Sequence, residues 1–258
     1  MARREENSGI SIEKMHEAWT PKTELGRKVK EGSVSDIVPV LTAGRRIMEP
    51  EIVDTLIPNI DSELLLIGQS KGKFGGGQRR AFRQTQKKTK EGNKPSFTTF
   101  AVVGNRNGLV GLGHGKAKET VPAREKAIRQ AKLNVIAVPR GSGSWQAVEP
   151  EQNSVPFKVT GKCGSVEIML IPAPKGTGLV VEKECQKILQ LAGIKDVWSK
   201  MRGKTTTKIN VVKACFDALK NLSKMKVTEA QKENLGISLK RREAMEELEA
   251  EVVHEVSQ

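Results

Sequence analysis

The segment FTTFAVVGNRNGLVGLGHG, residues 97–115, leaves the chain less conformational choice than any other. It predicts two strands, Phe97–Val103 and Leu109–Leu112, joined by Gly104-Asn105-Arg106-Asn107-Gly108. Asn107-Gly108 is a strong hairpin signal, because both residue types tolerate positive φ. The preceding RAFRQTQKKT adds a third strand. Thr120 then reads as an N-cap, opening a helix that runs to about Val135. Ala123, Ala127, Ile128, Ala131 and Val135 line one side of it, and Lys126, Arg129 and Lys132 point away. Strand, strand, strand, helix makes a small α+β unit whose sheet keeps one face that its own helix does not cover.

PRGSGSW, Pro139–Trp145, marks a domain boundary, and beyond it the pattern begins again. VPFKVTG and SVEIMLIPAP read as strands and KGTG as a tight loop. Glu182–Ala192 reads as a helix closed by Gly193, KDVWSKM as a short strand, and Asn210 as the cap of a helix carrying Val212, Cys215, Phe216, Leu219 and Leu222. The expected organisation is an N-terminal extension over residues 1–60, a first domain over 61–140, a second over 141–223 and a charged helical tail over 224–258. Polar residues dominate the first forty positions, which read as a flexible or partner-ordered arm with a basic cluster at Arg27, Lys28 and Lys30. A short helix is expected near Glu49–Ile57, with Pro50 in its first turn.

Between these parts lies QSKGKFGGGQRRAFRQTQKKTK, Gln69–Lys90, with eight cations and no acidic residue. Unpaired cations are costly to bury, so they face solvent or a polyanion. The chain's formal net charge of +14 favours the polyanion. Aromatics make up 3% of the residues and tyrosine is absent, which argues against a binder built on stacked single-stranded bases. Cys163, Cys185 and Cys215 have neither zinc nor disulfide spacing, no apolar run is long enough to span a bilayer, and the first residues lack an apolar signal core. A soluble intracellular protein is expected.

Nucleotide-site readings of the glycines fail on spacing. GLGHGK has Gly111 and Gly113, but Lys116 stands where a dinucleotide fingerprint needs its third glycine. A Walker loop would need glycine at Val110 and a hydroxyl at Ala117. Gly72–Gly75 spells GxxG without the two helices that a KH loop joins. No histidine can be argued as partner to Cys163; Cys185 and Cys215 sit on apolar helix faces; Glu182 and Glu184 look like solvated helix charges. No active site emerges.

What remains is a footprint for structured nucleic acid. Its expected residues are Lys71, Lys73, Gly75, Gly76, Gly77, Arg79, Arg80, Arg83, Lys87, Lys88, Lys90 and Lys94, with Arg106 at the hairpin tip and His114, Lys116 and Lys118 before the helix. The glycines leave N–H groups open to phosphate, arginine forks onto phosphate oxygens, and a helix start favours anions.

Several of these stretches carry a resemblance. FAVVGNRNGLVGLGHGKAKE, KVTGKCGSVEIMLIPAPKGTGLV, ILQLAGIKDVWSKMRG and NVVKACFDALKNL, in that order from about Glu63 to Leu222, closely resemble the universal small-subunit ribosomal protein five family. The Gly72–Gln78 insert, the KCGS loop and the long ends are similar to its archaeal and eukaryotic branch. The resemblance implies an α+β chain with a double-stranded-RNA-binding-like first domain and a βαβ second domain. It implies a structural, non-catalytic constituent of the small ribosomal subunit, cytoplasmic and without cofactor or metal. Such a protein binds small-subunit rRNA, touches neighbouring small-subunit proteins three, four and eight, and lies near mRNA where it enters the subunit, supporting translational accuracy. By position, Lys87–Lys94 would reach rRNA, Gly113–Glu119 would form an rRNA-contacting turn, and Pro174, Lys175, Gly176, Thr177 and Gly178 would form a protein interface with protein four. The competing readings are an RNA-binding ribosome assembly factor and, from another class, a nucleotide-dependent enzyme.

Overall fold

The computed structural model describes residues 19–57, 59–70, 79–146 and 152–237. They divide into two compact units, the first made of the described residues within 1–64, 68–103 and 111–135, the second of those within 65–67, 104–110 and 136–237.

Among its described residues the first unit begins with three short helices, α1 (Glu24–Lys30), α2 (Ile37–Thr42) and α3 (Glu51–Leu56). The flexible or partner-ordered arm expected over the first forty residues is folded from Trp19 onward, while α3 falls where a short helix was expected. Trp19, Val29, Ile37, Val40 and Ile47 are buried, and the small core they make is latched by one carboxylate. Glu49 accepts the Trp19 indole N–H at 2.9 Å and the backbone N–H groups of Lys22 (2.9 Å) and Thr23 (2.6 Å). Thr23 in turn caps α1 by accepting from Gly26 N. Pro50 precedes α3 as its N-cap.

Strands β1 (Asp61–Leu64), β2 (Arg83–Thr89), β3 (Gly92–Gly104), β4 (Leu109–Ala117) and β5 (Val135–Ala137) form a sheet ordered β1-β3-β4-β5, with β2 also on β3. Helix α4 (Thr120–Leu133) follows β4. Its N-cap is Glu119, one residue before the expected Thr120, and it makes no side-chain capping bond. Ala123, Ala127 and Ala131 are fully buried against Gly115, Gly113 and Gly111 of β4, where a β-carbon would strike the helix backbone. Glycines on alternate strand positions meet alanines four apart on the helix, and backbone approaches backbone. Lys132 does not point away as expected: it pairs with Asp54 of α3 at 2.6 Å, both side chains about four-fifths buried.

The turn between β3 and β4 belongs to the second unit. It also differs from the expected Asn-Gly form. Arg106 (φ 57°) and Gly108 (φ 89°) take the left-handed conformation, while Asn105 Oδ1 accepts from Asn107 N and Leu109 N. An asparagine that bonds its own backbone ahead does the work assigned to Asn107. Arg106 N donates to Leu191 O at 2.9 Å.

In the second unit β6 (Val159–Cys163), β7 (Val166–Pro172), β8 (Leu179–Val180) and β9 (Val197–Arg202) form a sheet ordered β6-β7-β9-β8. The β6–β7 and β7–β9 pairs are antiparallel, and β8–β9 is parallel across helix α5 (Lys183–Leu191), the expected βαβ element. Gly193 follows α5 at φ 80°. Helix α6 (Lys208–Lys224) has Thr207, not Asn210, at its N-cap position, with no side-chain capping bond, and starts three residues before the sequence pattern announced. Gly161 of β6 lies against Ala214 and Ala218 of α6, repeating the glycine-on-alanine contact of the first unit. The open edge of β6 is covered by the same helix: Lys162 N donates to Asp217, and Asn221 Nδ2 donates to Thr160 O. Helix α7 (Glu229–Leu235) starts the charged tail and is held where Ser142 N donates to Leu235 O. The apolar stripe expected at Leu239, Met245, Leu248 and Val252 lies outside the described residues.

Candidate nucleic-acid interface

The strand β2 is exposed along six of its seven residues, and β3 opposite it is exposed from Gly92 to Pro95 before it enters the core. The two make a ribbon uncovered on both sides. Its register places Lys87 directly across from Lys94, with Arg83 and Thr98 four residues down on the same face and Lys88 on the other. Like charges opposite each other destabilise a β ladder, so this pairing serves something other than the free protein's stability. Lys94 has a counter-charge in Glu91 at 3.1 Å, but both side chains are largely exposed and such a pair is worth little. Lys90 lies in the tip, closed where Thr89 Oγ1 donates to Gly92 O.

A second basic element grows from the ribbon's base. Gly68 N donates to Arg80 O at 2.7 Å and Arg80 N to Gln69 O at 3.1 Å, and Ser70 pairs with Arg79. This short ladder pinches the stem of the glycine-rich segment. Gly68 is required there, since a β-carbon would strike the carbonyls of Arg80 and Phe82. Arg79 is half-buried and Arg80 exposed. Lys71, Lys73, Gly75, Gly76 and Gly77 lie outside the described residues.

Within β4 the glycines decide orientation. Because Gly113 and Gly115 face α4, His114 and Lys116 face the other way, and both are exposed. His114 sits over Phe100, ring centroids 4.8 Å apart. Lys118 is exposed immediately before Glu119, the N-cap of α4, which makes no side-chain capping bond. The first unit thus gathers Arg79, Arg80, Arg83, Lys87, Lys88, Lys90, Lys94, His114, Lys116 and Lys118. Arg106 lies in the turn that groups with the second unit.

The Pro174–Gly178 loop is built as a tight turn in the second unit. Thr177 donates to Pro174 O from both its hydroxyl (2.8 Å) and its amide (3.3 Å). Gly176 (φ 87°) and Gly178 (φ 73°) are left-handed, and a β-carbon on either would meet nothing within 4 Å. Gly178 N donates to the buried Asp196 carboxylate at 2.8 Å, which anchors one end of the loop while its crest stays open.

The groups that could suggest catalysis are engaged in structure. Cys185 and Cys215 are fully buried, and the hydrogen bond between their thiols, together with burial, pushes Cys185 far above the usual thiol range. Glu182 and Glu184 are not the solvated charges expected. Glu182 caps α5 by accepting Glu184 N and pairs with Lys208 at 2.8 Å; Glu184 is buried, accepts Leu66 N at 2.7 Å and pairs with Lys187. Among the described residues no cluster of His, Cys, Asp or Glu could hold a metal ion, and no helix is long and apolar enough to cross a membrane.

Comparison with known proteins places these two units in a lineage. Residues 81–139 match the model of the ribosomal protein S5 N-terminal domain and residues 161–233 that of the ribosomal protein S5 C-terminal domain. The chain is similar to the small ribosomal subunit protein uS5 of Nanoarchaeum equitans, 50% identical over 211 residues, covering 82% of this chain and 90% of the relative. The uS5 of Methanothermobacter thermautotrophicus is 45% identical over 221 residues (86% and 95%), and that of Methanocaldococcus jannaschii 46% over 219 (85% and 94%). With both domains matched in order and identity sustained over nearly the whole of each archaeal relative, the chain belongs to the ribosomal protein S5 family, in its archaeal-type branch.

Proposed function

We propose that the protein is a structural constituent of the small ribosomal subunit, at work in the cytoplasm, and that its first unit binds structured rRNA. The observation that carries the interface is the Lys87–Lys94 pair: two cations directly opposed on a ribbon exposed on both sides. An RNA phosphate between them turns a local repulsion into a shared contact. Arg79, Arg80, Arg83, Lys88, Lys90, His114, Lys116 and Lys118 extend the footprint, and Lys71, Lys73, Gly75, Gly76 and Gly77 complete the basic segment in sequence. Contacts of this kind position a protein on RNA without reading its bases. Arg106, at the hairpin tip, is a further proposed RNA contact.

The Pro174–Gly178 loop, anchored by Asp196 but open at its crest, suits the close approach of a neighbouring chain, and protein four is the partner proposed for it. Proteins three and eight, and mRNA where it enters the subunit, are further proposed neighbours. The role is architectural and bears on translational accuracy, with no chemistry of its own.

Binding of the isolated protein to a hairpin RNA tests the interface. Roughly six to ten phosphate contacts predict a loss of about 10³–10⁵ in affinity between 50 and 200 mM salt. Arg79→Ala with Arg80→Ala should weaken all structured RNAs alike. A flat salt response would overturn the interface.

A further inference from the structure

The second unit carries a surface that the reading above leaves unused. Gly161 turns one face of the β6-β7-β9-β8 sheet toward α6, so residues one step out of phase with it face away. Three rows result. Lys162, Glu167 and Arg202 make the first; Thr160, Met169 and Lys200 the second. In the third, Trp198 stands between Ile171 on β7 and Val180 on β8. Trp198 is 39% exposed and Val180 54%. Lys162, Lys200 and Arg202 are exposed, and among the described residues none of them forms an ion pair, although Glu167 lies between two of them in the register.

We infer that this open sheet face binds single-stranded RNA, with Trp198 as a stacking platform and Lys200, Arg202 and Lys162 on the sugar–phosphate backbone. The arrangement suits an unpaired strand. Trp198, Lys200 and Arg202 alternate along β9 at about 6.7 Å, a spacing comparable to that of successive nucleotides in an unstacked strand. A ring lying on an open sheet meets the face of a base, and bases offer their faces only when unstacked. A duplex would touch the cations but leave the ring idle. A protein partner fits less well, because the apolar strip is one row wide and two of the flanking cations are lysines, which protein interfaces avoid. The face shares no residue with the ribbon of the first unit and does not rest on the role proposed for it.

The test uses the full-length protein with an oligoadenylate of about twelve nucleotides and, separately, a hairpin duplex. Trp198→Ala and Trp198→Leu should both lower affinity for the oligonucleotide by about 5- to 150-fold, with Trp198→Phe close to the parent. Lys200→Gln with Arg202→Gln, both exposed and harmless to folding, should reduce the slope of log affinity against log salt by about 1.4. Duplex affinity should not change in the Trp198 variants. If Trp198→Leu binds the oligonucleotide as the parent does, the ring is not stacking and the inference fails. It fails equally if the Trp198 variants weaken duplex binding to the same degree, since one shared site would then explain both. A benzophenone side chain placed at position 200 in assembled small subunits separates the sources. Crosslinks to rRNA with or without added mRNA identify a structural strand, and crosslinks that need mRNA identify the message. Crosslinks to protein alone would overturn the inference in favour of a docking face. The oligonucleotide arm stands without the ribosomal assignment.

Discussion

Gly113 of β4 faces the Ala127 carbonyl of α4 across a gap that no β-carbon could enter. The contact explains why a glycine-rich stretch with cations beside it, GLGHGK, is not a nucleotide loop: its glycines are spent on helix packing, and only His114 and Lys116 between and after them face outward. Gly113→Ala should therefore cost about 3 kcal/mol, at the upper end of overpacking changes, because the obstacles are backbone atoms that cannot swing aside. Gly176→Ala is the control. Its β-carbon meets nothing, and only left-handed strain of about 1 kcal/mol is expected. Urea midpoints at unchanged m-value compare the two. Equal losses would show that the strand and helix can separate to admit a methyl group.

The Lys87–Lys94 pair predicts opposite effects on stability and binding. Lys87→Glu replaces a repulsive cross-strand pair with an attractive one and should stabilise the free protein by about 0.2–1 kcal/mol. The same change should weaken binding to structured RNA and flatten its salt dependence by about one to two phosphate contacts. Thermal denaturation and filter binding on one preparation read both. Unchanged RNA affinity would remove the ribbon from the interface.

Glu49 predicts a pH-dependent latch. Burial raises its pKa, but hydrogen bonds from the side chain and backbone of Thr23, from Lys22 N and from the Trp19 indole outweigh burial and leave the carboxyl below its ordinary value of 4.5. A carboxylate depressed in the folded state contributes stability that is fully present above the unfolded value. That contribution is lost as pH falls through the folded value, so the window lies at and below about pH 4.5. Glu49→Gln should cost about 2 kcal/mol at neutral pH and little at about pH 3. Trp19 fluorescence cannot isolate the step with three tryptophans present, so amide exchange at Lys22 and Thr23 is the better readout. Equal exchange in both proteins at neutral pH would show that the latch does not hold the N-terminal helices.

The Pro174–Gly178 loop predicts a change in accuracy without unfolding. Gly178→Arg brings left-handed strain of about 1–2 kcal/mol but no collision, and the backbone bond to Asp196 can remain. Ribosomes carrying it should assemble and bind RNA normally yet misread near-cognate codons at an altered rate, measured with a codon reporter. Normal misreading in correctly assembled subunits would remove this loop from the seam with protein four.

Several features were legible in the sequence because they are local. Phe97–Leu112 announced its strands by the turn residues between them, Glu182–Ala192 its helix by apolar spacing and Gly193, and Gln69–Lys90 its exposure by charge that no core can accept. Of the N-terminal helices only the one near Glu49–Ile57 was announced, by Pro50; those at Glu24–Lys30 and Ile37–Thr42 were not legible. Helices of six or seven residues cannot hold themselves together, and the latch that fixes them joins Glu49 to residues 26 to 30 positions away. Composition marked the cations, but only pairing in three dimensions decided their company. Strand register set Lys87 against Lys94, hydrogen bonds of the hairpin turn assigned Arg106 to the second unit, and sheet rows brought Lys162, Arg202 and Trp198 from two strands onto one face. Local propensity and charge act between neighbours in the chain, and the sequence alone determined what depends on them. Register and burial act between residues far apart in the chain, and a shift of one residue would have sent each of those side chains to the opposite face.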